Sequence, residues 1–204
     1  MRELEADLAR FYDQQAPQRV ARRPPEQRDA ARAAFAAQVL SEGRSSVLEV
    51  GTGTGRDAVA LRDAGLRVSG IDLSSENVRY CQEAGIDCQQ GSLVSMPFAD
   101  GAFEAGWTMS VLMHVPNAEI DAAFAEIARV LAPGAPLAVG VWSGPDEEEM
   151  NEHDQLEPKR FFSRRTDATW RATLERHGAI ERFESWSYDG ESWDYQYAVL
   201  RMPS

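Results

Sequence analysis

Basic residues are scarce in this sequence, and lysine is almost missing. The 204 residues include 33 aspartates and glutamates but only 21 lysines and arginines, so the net charge is −12 at pH 7, and Lys159 is the single lysine. A protein that holds a nucleic-acid backbone needs a basic surface, so we expect no nucleic-acid partner. The local basic cluster of Arg19, Arg22 and Arg23 is interpreted as solvated surface. Arginine used almost to the exclusion of lysine is typical of a GC-rich genome, and we expect a bacterial source.

Cysteines and long apolar runs are equally scarce. Cys81 and Cys88 are spaced neither as a redox pair nor as a zinc knuckle, so we expect two free thiols in a reducing cytoplasm and no metal site. No stretch approaches the roughly 20 apolar residues of a membrane span, and the start, MRELEADLAR, lacks the apolar core of a signal peptide. We therefore expect a cytoplasmic protein with no membrane partner. The oligomeric state cannot be inferred from the sequence.

What the sequence does contain is an alternation of apolar strands and helices. Two helices are predicted first, over residues 2–15 and 26–42. Strands at 47–50, 66–71, 87–89, 103–109 and 137–142 then alternate with helices at 56–64, 74–83 and 117–131, the last two capped by Ser74 and Asn117. This order predicts an α/β fold with a doubly wound, Rossmann-like, mostly parallel sheet and helices on both faces.

The last third of the chain has a different pattern. Residues 144–158 are polar, contain seven acids and show no apolar periodicity, which predicts a long loop, either a solvated connector or a lid over a substrate. A helix at 166–177 and two strands at 180–188 and 193–201 follow, and Asp189-Gly190 is a strong hairpin signal. We therefore expect seven strands that end in an antiparallel hairpin. The chain is read as one domain, with a helical cover (1–42), a core (43–142) and a closing part (143–204).

The segment VLEVGTGTGRDAV, residues 47–59, carries the chemistry. Gly51, Gly53 and Gly55 follow a strand and open a helix, so the backbone can approach a ligand closely. Asp72 ends the next strand, where a carboxylate can bind the two hydroxyls of a ribose. Glu49 would repel a pyrophosphate but suits a cation. S-adenosylmethionine (SAM) has a ribose, a sulfonium and an ammonium, and it has no phosphate.

Four motifs in order resemble those of class I SAM-dependent methyltransferases. They are VLEVGTGTG, GIDLS, GSLVSMPFADGAFEAGWTMSVLMHVPN and RVLAPGAPLAVGV, which together cover residues 47 to about 142. The resemblance extends loosely to FYDQQA near residue 11, similar to a helix that covers the cofactor, and to the helix near residue 170. It implies SAM as cofactor and S-adenosylhomocysteine (SAH) as product.

The resemblance also implies roles for individual residues. Glu49 and the loop of Gly51, Thr52, Gly53 and Gly55 would hold the methionine end of SAM. Asp72 would bind the ribose, and Leu73 would pack on the adenine. Ser92 stands where the family often has an acid facing the adenine amino group, and the amide of Leu93 could contact the ring. The backbone oxygens of Thr108 and Met109 would face the ammonium.

For several residues the sequence leaves two interpretations open. Arg56 lies near the SAM carboxylate, or else pairs with Asp57 or Asp63 on a helix surface. Tyr12 closes over the cofactor or serves only packing. His114 is a candidate general base near pH 7, or a histidine that caps the next turn. We place Trp107 in the core and Trp142 at the pocket rim.

These observations predict a SAM-dependent methyltransferase that moves a methyl group to a small-molecule acceptor by in-line displacement. A base is needed only if the acceptor enters protonated, and the acceptor atom, O, N or C, is not revealed. An inactive SAM-sensing protein is one alternative. A nicotinamide-dependent oxidoreductase is the other, but it predicts GxGxxG and no acid at position 49.

Overall fold

The computed structural model describes residues 2–21, 25–187 and 193–204. In these ranges seven strands form the main sheet, two further strands form a small second sheet, and six α-helices surround them. In chain order they are α1 (Arg2–Val20), α2 (Glu26–Ser41), β1 (Ser46–Val50), α3 (Arg56–Asp63), β2 (Arg67–Asp72), α4 (Ser75–Glu83), β3 (Asp87–Gln90), β4 (Ala105–Met109), α5 (Ile120–Val130), β5 (Pro136–Trp142), β6 (Glu147–Met150), β7 (Phe161–Arg164), α6 (Asp167–Glu175), β8 (Ala179–Trp186) and β9 (Tyr195–Arg201).

The main sheet has the order β3-β2-β1-β4-β5-β9-β8. The first five strands are parallel, whereas β9 pairs antiparallel with both β5 and β8. This arrangement confirms the predicted doubly wound sheet of seven mostly parallel strands with an antiparallel end. Asp189 and Gly190, the predicted turn of that end, lie outside the described residues.

Both faces of the sheet are covered because apolar side chains alternate along its central strands. In β5, Leu137 and Val139 join the core cluster that includes Phe124 of α5. Ala138, between them, joins the opposite cluster with Phe35 of α2. Successive side chains of a strand point to opposite faces, so one strand contributes to both layers. None of the helices in the described part of the chain is long and apolar enough to cross a membrane.

The sheet brings the ends of three strands to one edge. Val50 at the end of β1 lies beside Ile71 of β2 on one side and beside Thr108 of β4 on the other. The chain leaves β2 and β4 in opposite directions across the sheet, which opens a crevice at the carboxyl ends of the strands. The glycine-rich loop after β1 lies in this crevice.

Side-chain contacts explain two of the places where a predicted element end differs from the structure. The first helix continues through Pro17 to Val20, and its last turn is held because the Arg56 guanidinium donates to the Arg19 carbonyl at 3.0 Å. Asn117 does not cap α5, whose cap is Glu119. The Asn117 side chain instead accepts a hydrogen bond from Arg165 Nε at 2.9 Å.

The predicted long loop at 144–158 contains the strand β6, which pairs antiparallel with β7. The loop prediction was therefore wrong for these four residues. Three acids of the segment have partners: Asp146 accepts from the Thr166 amide at 2.9 Å, Glu149 binds Arg164, and Asp154 binds Arg160. The strand could not be recognised from the sequence, because its side chains are all exposed and show no apolar alternation.

Candidate functional site

Two adjoining cavities open at the carboxyl ends of β1, β2 and β4. The larger, of about 490 Å³, includes Glu49, Arg160 and Trp142 in its wall. The smaller, of about 90 Å³, includes Asp72, Leu73 and Leu93. Six residues belong to both walls: Tyr12, Arg19, Gly51, Gly53, Met109 and Ser110. A ligand that fills one cavity therefore meets the contents of the other at this boundary.

The loop after β1 requires glycine. Gly51 and Gly55 have φ angles of +74° and +86°, a region that side chains with a Cβ rarely adopt. A Cβ on Gly51 would also stand 2.2 Å from the Cγ2 atom of Val111. The loop is fastened to the neighbouring strand because the Gly51 amide donates to the Ile71 carbonyl at 2.7 Å.

Glu49 is a buried carboxylic acid with one oxygen lacking a partner. The residue is 2% exposed, and Oε2 has no hydrogen-bond partner among the described residues. Burial raises the pKa of Glu49 well above its ordinary value, and the nearby charge of Asp57 raises it further. Since a buried polar atom without a partner is costly, this oxygen fits a cationic donor in the larger cavity.

Asp72 organises the edge of the smaller cavity. Its Oδ2 accepts from the Gly53 amide at 2.7 Å, and its Oδ1 accepts from the Ser74 amide at 2.9 Å and from Asn77 Nδ2 at 3.2 Å. Burial raises the pKa of Asp72, and these hydrogen bonds oppose the rise. Each carboxylate oxygen has two lone pairs, so Asp72 keeps the capacity to accept from ligand hydroxyls.

A carboxylate from α1 reaches the far end of the smaller cavity. Ser92 Oγ donates a hydrogen bond to Glu5 Oε1 and accepts one from the Val94 amide at 3.1 Å. Glu5 itself belongs to the cavity wall, with Leu73 and Leu93. An acid therefore stands next to Ser92, although it comes from a residue 87 positions earlier in the chain.

His114 and Tyr12 form a hydrogen-bonded pair at the boundary. His114 Nδ1 lies 2.7 Å from the Phe161 carbonyl, to which it can only donate, so Nε2 accepts from the Tyr12 hydroxyl at 2.8 Å. Burial lowers the pKa of His114 to about 3. The imidazole is therefore neutral near pH 7, and it reaches the larger cavity only through Tyr12.

Two arginines share the carboxylate of Asp57, which lies in the wall of the larger cavity. Arg28 Nη2 and Arg32 Nη1 each approach a different oxygen of Asp57 at 2.6 Å, and Trp107 Nε1 donates to the same carboxylate at 3.1 Å. Burial alone would raise the pKa of Asp57, but the two guanidiniums hold it below its ordinary value. Trp107 is fully buried, as expected, and Asp57 links it to the cavity wall.

The helix α1 is fastened across both cavities. Asp13 Oδ1 accepts from Ser74 Oγ at 2.7 Å and from the Glu76 amide at 3.0 Å, so it binds the first turn of α4. The Ser74 side chain also caps α4, as predicted, by accepting from the Asn77 amide at 3.1 Å. Together with the Tyr12–His114 contact, these bonds place α1 over the crevice.

Residues 48–139 match the family described as methyltransferase domain. The whole chain also superposes on the 1,6-didemethyltoxoflavin-N1-methyltransferase of Burkholderia thailandensis, whose structure holds 1,6-didemethyltoxoflavin and SAH. The TM-score is 0.75 at 18% identity, and the match covers 100% of this chain and 90% of that one. Residues 48–139 are therefore a methyltransferase domain. The resemblance carried by the sequence motifs is thereby confirmed.

Curated relatives of this chain match only about half of it. The O-methyltransferase resE of Aspergillus sclerotiorum is 31% identical over 112 residues, which cover 50% of this chain and 42% of resE. The sterol 24-C-methyltransferase ERG6B of Gibberella zeae is 31% identical over 124 residues, which cover 56% of this chain and 31% of ERG6B. The chain thus spans less than half the length of these relatives, and they differ in the atom named as methyl acceptor.

Most residues that the methyltransferase motifs indicated lie in the two walls. Glu49, Thr52, Arg56 and Trp142 line the larger cavity, while Asp72, Leu73, Leu93 and His114 line the smaller one. Tyr12, Gly51, Gly53 and Met109 line both. Gly55, Ser92 and Thr108 lie outside the described walls, although Gly55 begins α3 and Ser92 binds a wall residue.

Several residues of the cavity walls were not predicted from the sequence. Arg19, interpreted as solvated surface, lines both cavities, while Arg22 and Arg23 lie outside the described residues. Ser110 has a φ of +62°, rare for a residue other than glycine, and its Oγ lies 3.0 Å from the Tyr195 hydroxyl. Such strained residues cluster at functional sites. Glu5 and Arg160 were also missed, since each depends on contacts distant in sequence.

Proposed function

We propose that this chain is an enzyme that binds SAM across both cavities and methylates a small-molecule acceptor in the larger one. The observation that carries the proposal is the unpartnered Oε2 of Glu49 in the wall of the larger cavity, at the end of a strand within the matched methyltransferase domain. The ammonium of SAM is a positively charged N–H donor, and it would supply the hydrogen-bond partner that this oxygen lacks.

The rest of the site fits SAM as well. Asp72 has accepting capacity for the ribose hydroxyls, and Leu73 and Leu93 provide apolar walls for the adenine. Glu5, beside Ser92, supplies an acceptor for the adenine amino group. The sulfonium would then lie at the boundary of the two cavities. The helical cover, the core and the closing part all contribute to the walls, for example through Tyr12, Glu49 and Arg160. This sharing supports the interpretation of residues 1–204 as one domain with α1 as its cover.

The chemistry that SAM supplies is a methyl group already activated on a sulfonium. The residues must therefore bring the acceptor into line with it and exclude water, because alignment alone can provide a large part of the acceleration. Tyr12, Ser110 and Met109 stand at the boundary where that alignment is set. His114 holds the Tyr12 hydroxyl in place. The expectation that no metal takes part stays a prediction.

A small-molecule acceptor is supported by the volume of the larger cavity, about 490 Å³, which suits a compact organic molecule beside the methionine end of SAM. The structural neighbour from Burkholderia thailandensis, with a bound small heterocycle and SAH, supports the same reading.

Thermal denaturation with three ligands tests the proposal. SAH at a hundredfold excess over its dissociation constant stabilises the native state by about 2.7 kcal/mol, equivalent to a rise in Tm of about 5–11 °C for a chain of this size. NAD and NADP should leave Tm unchanged. If SAH also leaves it unchanged, the proposal is rejected. Release of SAH from SAM in the presence of an acceptor then separates an enzyme from a SAM sensor.

A further inference from the structure

The charged side chains in the larger cavity are mostly cationic. Its described wall contains four guanidinium groups and two carboxyl groups, those of Arg19, Arg28, Arg56, Arg160, Glu49 and Asp57. This excess lies in a chain whose net charge is −12. A cleft with low-dielectric walls concentrates the field of its own charges, so it attracts anions even when the whole protein has the opposite sign.

The two acids do not cancel these cations. Asp57 is shared between Arg28 and Arg32, so one carboxylate faces two guanidiniums. Glu49 is assigned to the ammonium of SAM, so its charge is matched by that group and not by the arginines. The methionine part of SAM has one carboxylate, enough for one guanidinium, and its ammonium and sulfonium are themselves positive. A cationic excess therefore remains beside bound SAM.

Arg19 contributes to this excess at the boundary of the cavities. Its Nη1 donates to Gln15 Oε1 at 2.9 Å, and its guanidinium lies 5.0 Å from the centre of the Tyr12 ring. Both partners are neutral, and within the described chain no carboxylate comes within ion-pair distance of Arg19. Its charge is therefore available to a ligand at the boundary.

Arg160 approaches the same place from the other side. The carboxylate of Asp154 accepts from its Nε at 2.8 Å and also from its Nη2, and the guanidinium lies over the rings of Phe11, at 4.4 Å, and Phe162, at 5.1 Å. The side chain is only 17% exposed. Asp154 offsets the charge of this guanidinium but fixes its plane, so the remaining N–H groups can donate to the oxygens of a carboxylate or phosphonate.

We propose that the acceptor enters as an oxyanion, a carboxylate or a phosphonate, and that its anionic oxygen takes the methyl group. The inference rests on the proposed function. The new O–CH₃ bond forms as the S–CH₃ bond breaks, the electron pair of that bond stays on sulfur, and no proton is taken up or released. Such an acceptor needs no general base, in agreement with a His114 whose two nitrogens are both engaged.

Binding of matched probes to the protein saturated with SAH tests the inference. Benzoate and phenylphosphonate are compared by calorimetry with benzamide and benzyl alcohol, which have the same ring without the charge. We expect the anions to bind at least about tenfold more tightly, a difference that corresponds to about 1.4 kcal/mol. The preference should shrink in about 0.5 M NaCl, because salt screens exposed charges. Comparison of the two anions tells carboxylate from phosphonate.

Variants identify the residues responsible. Arg19→Gln and Arg160→Gln should each reduce the preference for anions about tenfold, and Arg19→Lys should keep most of it because the charge stays. Arg176→Gln, which loses only exposed contacts with Asp121 and with the Ala172 carbonyl, is the matched control. Any of three results overturns the inference. The charged and neutral probes bind equally, neither anion binds, or both glutamine variants keep the full preference for anions. Failure of SAH itself to bind would instead reject the proposed function.

Discussion

Replacing Glu49 by glutamine separates binding of the cofactor from stability of the fold. Glutamine has nearly the same shape, so the packing around β1 should persist, but it removes the carboxylate that we assign to the ammonium of SAM. Burial raises the pKa of Glu49, and no described residue satisfies its Oε2. The free protein should therefore tolerate the change, whereas binding of SAH should not.

The expected loss follows from the type of bond removed. A hydrogen bond to a charged group contributes about 1.5–3 kcal/mol, so the affinity for SAH should fall by about 10- to 150-fold. At a concentration that stabilises the wild type by about 2.7 kcal/mol, a loss near 2 kcal/mol leaves about 0.8 kcal/mol. The rise in Tm on adding SAH should then shrink from about 5–11 °C to about 2–3 °C.

The assay is calorimetric titration with SAH, with thermal denaturation of the free and the saturated protein beside it. Glu76→Gln, which removes an exposed carboxylate paired with Arg79 on α4, is the control and should bind SAH like the wild type. If Glu49→Gln also binds SAH with wild-type affinity, the assignment of the ammonium to Glu49 is refuted.

The pH dependence of stability gives an independent check. The pKa of Glu49 is raised above its ordinary value of 4.5 in the folded state, so above that pH the folded state keeps a proton that the unfolded state has lost. The stability of the free protein must then fall as the pH rises from 4.5 through the folded pKa. Glu49→Gln should lack this part of the fall, as measured by urea denaturation over the pH series.

Three further substitutions and one exchange experiment follow. Asp72→Ala should weaken SAH binding by about 1.5–3 kcal/mol and also lower stability by about 1–3 kcal/mol, since the backbone amides it holds lose an acceptor; unchanged affinity in calorimetry would contradict the ribose assignment. Glu5→Gln should bind SAH and its inosine analogue with similar affinity, whereas the wild type should prefer SAH; an unchanged preference would exclude contact with the adenine amino group. Tyr12→Phe should lower the free energy of unfolding by about 1–3 kcal/mol because buried His114 loses its donor, while Tyr80→Phe on α4 should not; equal values in urea denaturation would count against a structural bond. SAH should slow amide exchange in α1, and protection confined to the sheet edge would show that α1 is no cover.

The parallel core could be predicted because its signals are local. Each strand is an apolar run, and glycines mark the loop that follows β1, so the position of Glu49 and Asp72 at one edge follows from the order of the elements. The strand β6 could not be predicted, because its exposed acids carry no alternation and pair through distant partners such as Arg164. Asn117 has the right residue type for a helix cap, but Arg165 competes for its side chain.

One stripe along α1 combines polar and apolar residues, and its role could not be predicted from the sequence. Glu5, Leu8, Tyr12 and Arg19 all line the smaller cavity, and at 100° per residue they fall within about 60° of one another around the helix axis. An amphipathic pattern counts only the apolar members of such a stripe, so Arg19 was interpreted as solvated surface and Glu5 was given no role. Where the family often carries an acid after β3, Ser92 binds Glu5 of this stripe, and no spacing in the sequence connects the two residues. Because one helix contributes both Glu5 to the smaller cavity and Arg19 to the boundary, movement of α1 would change the walls of both cavities together.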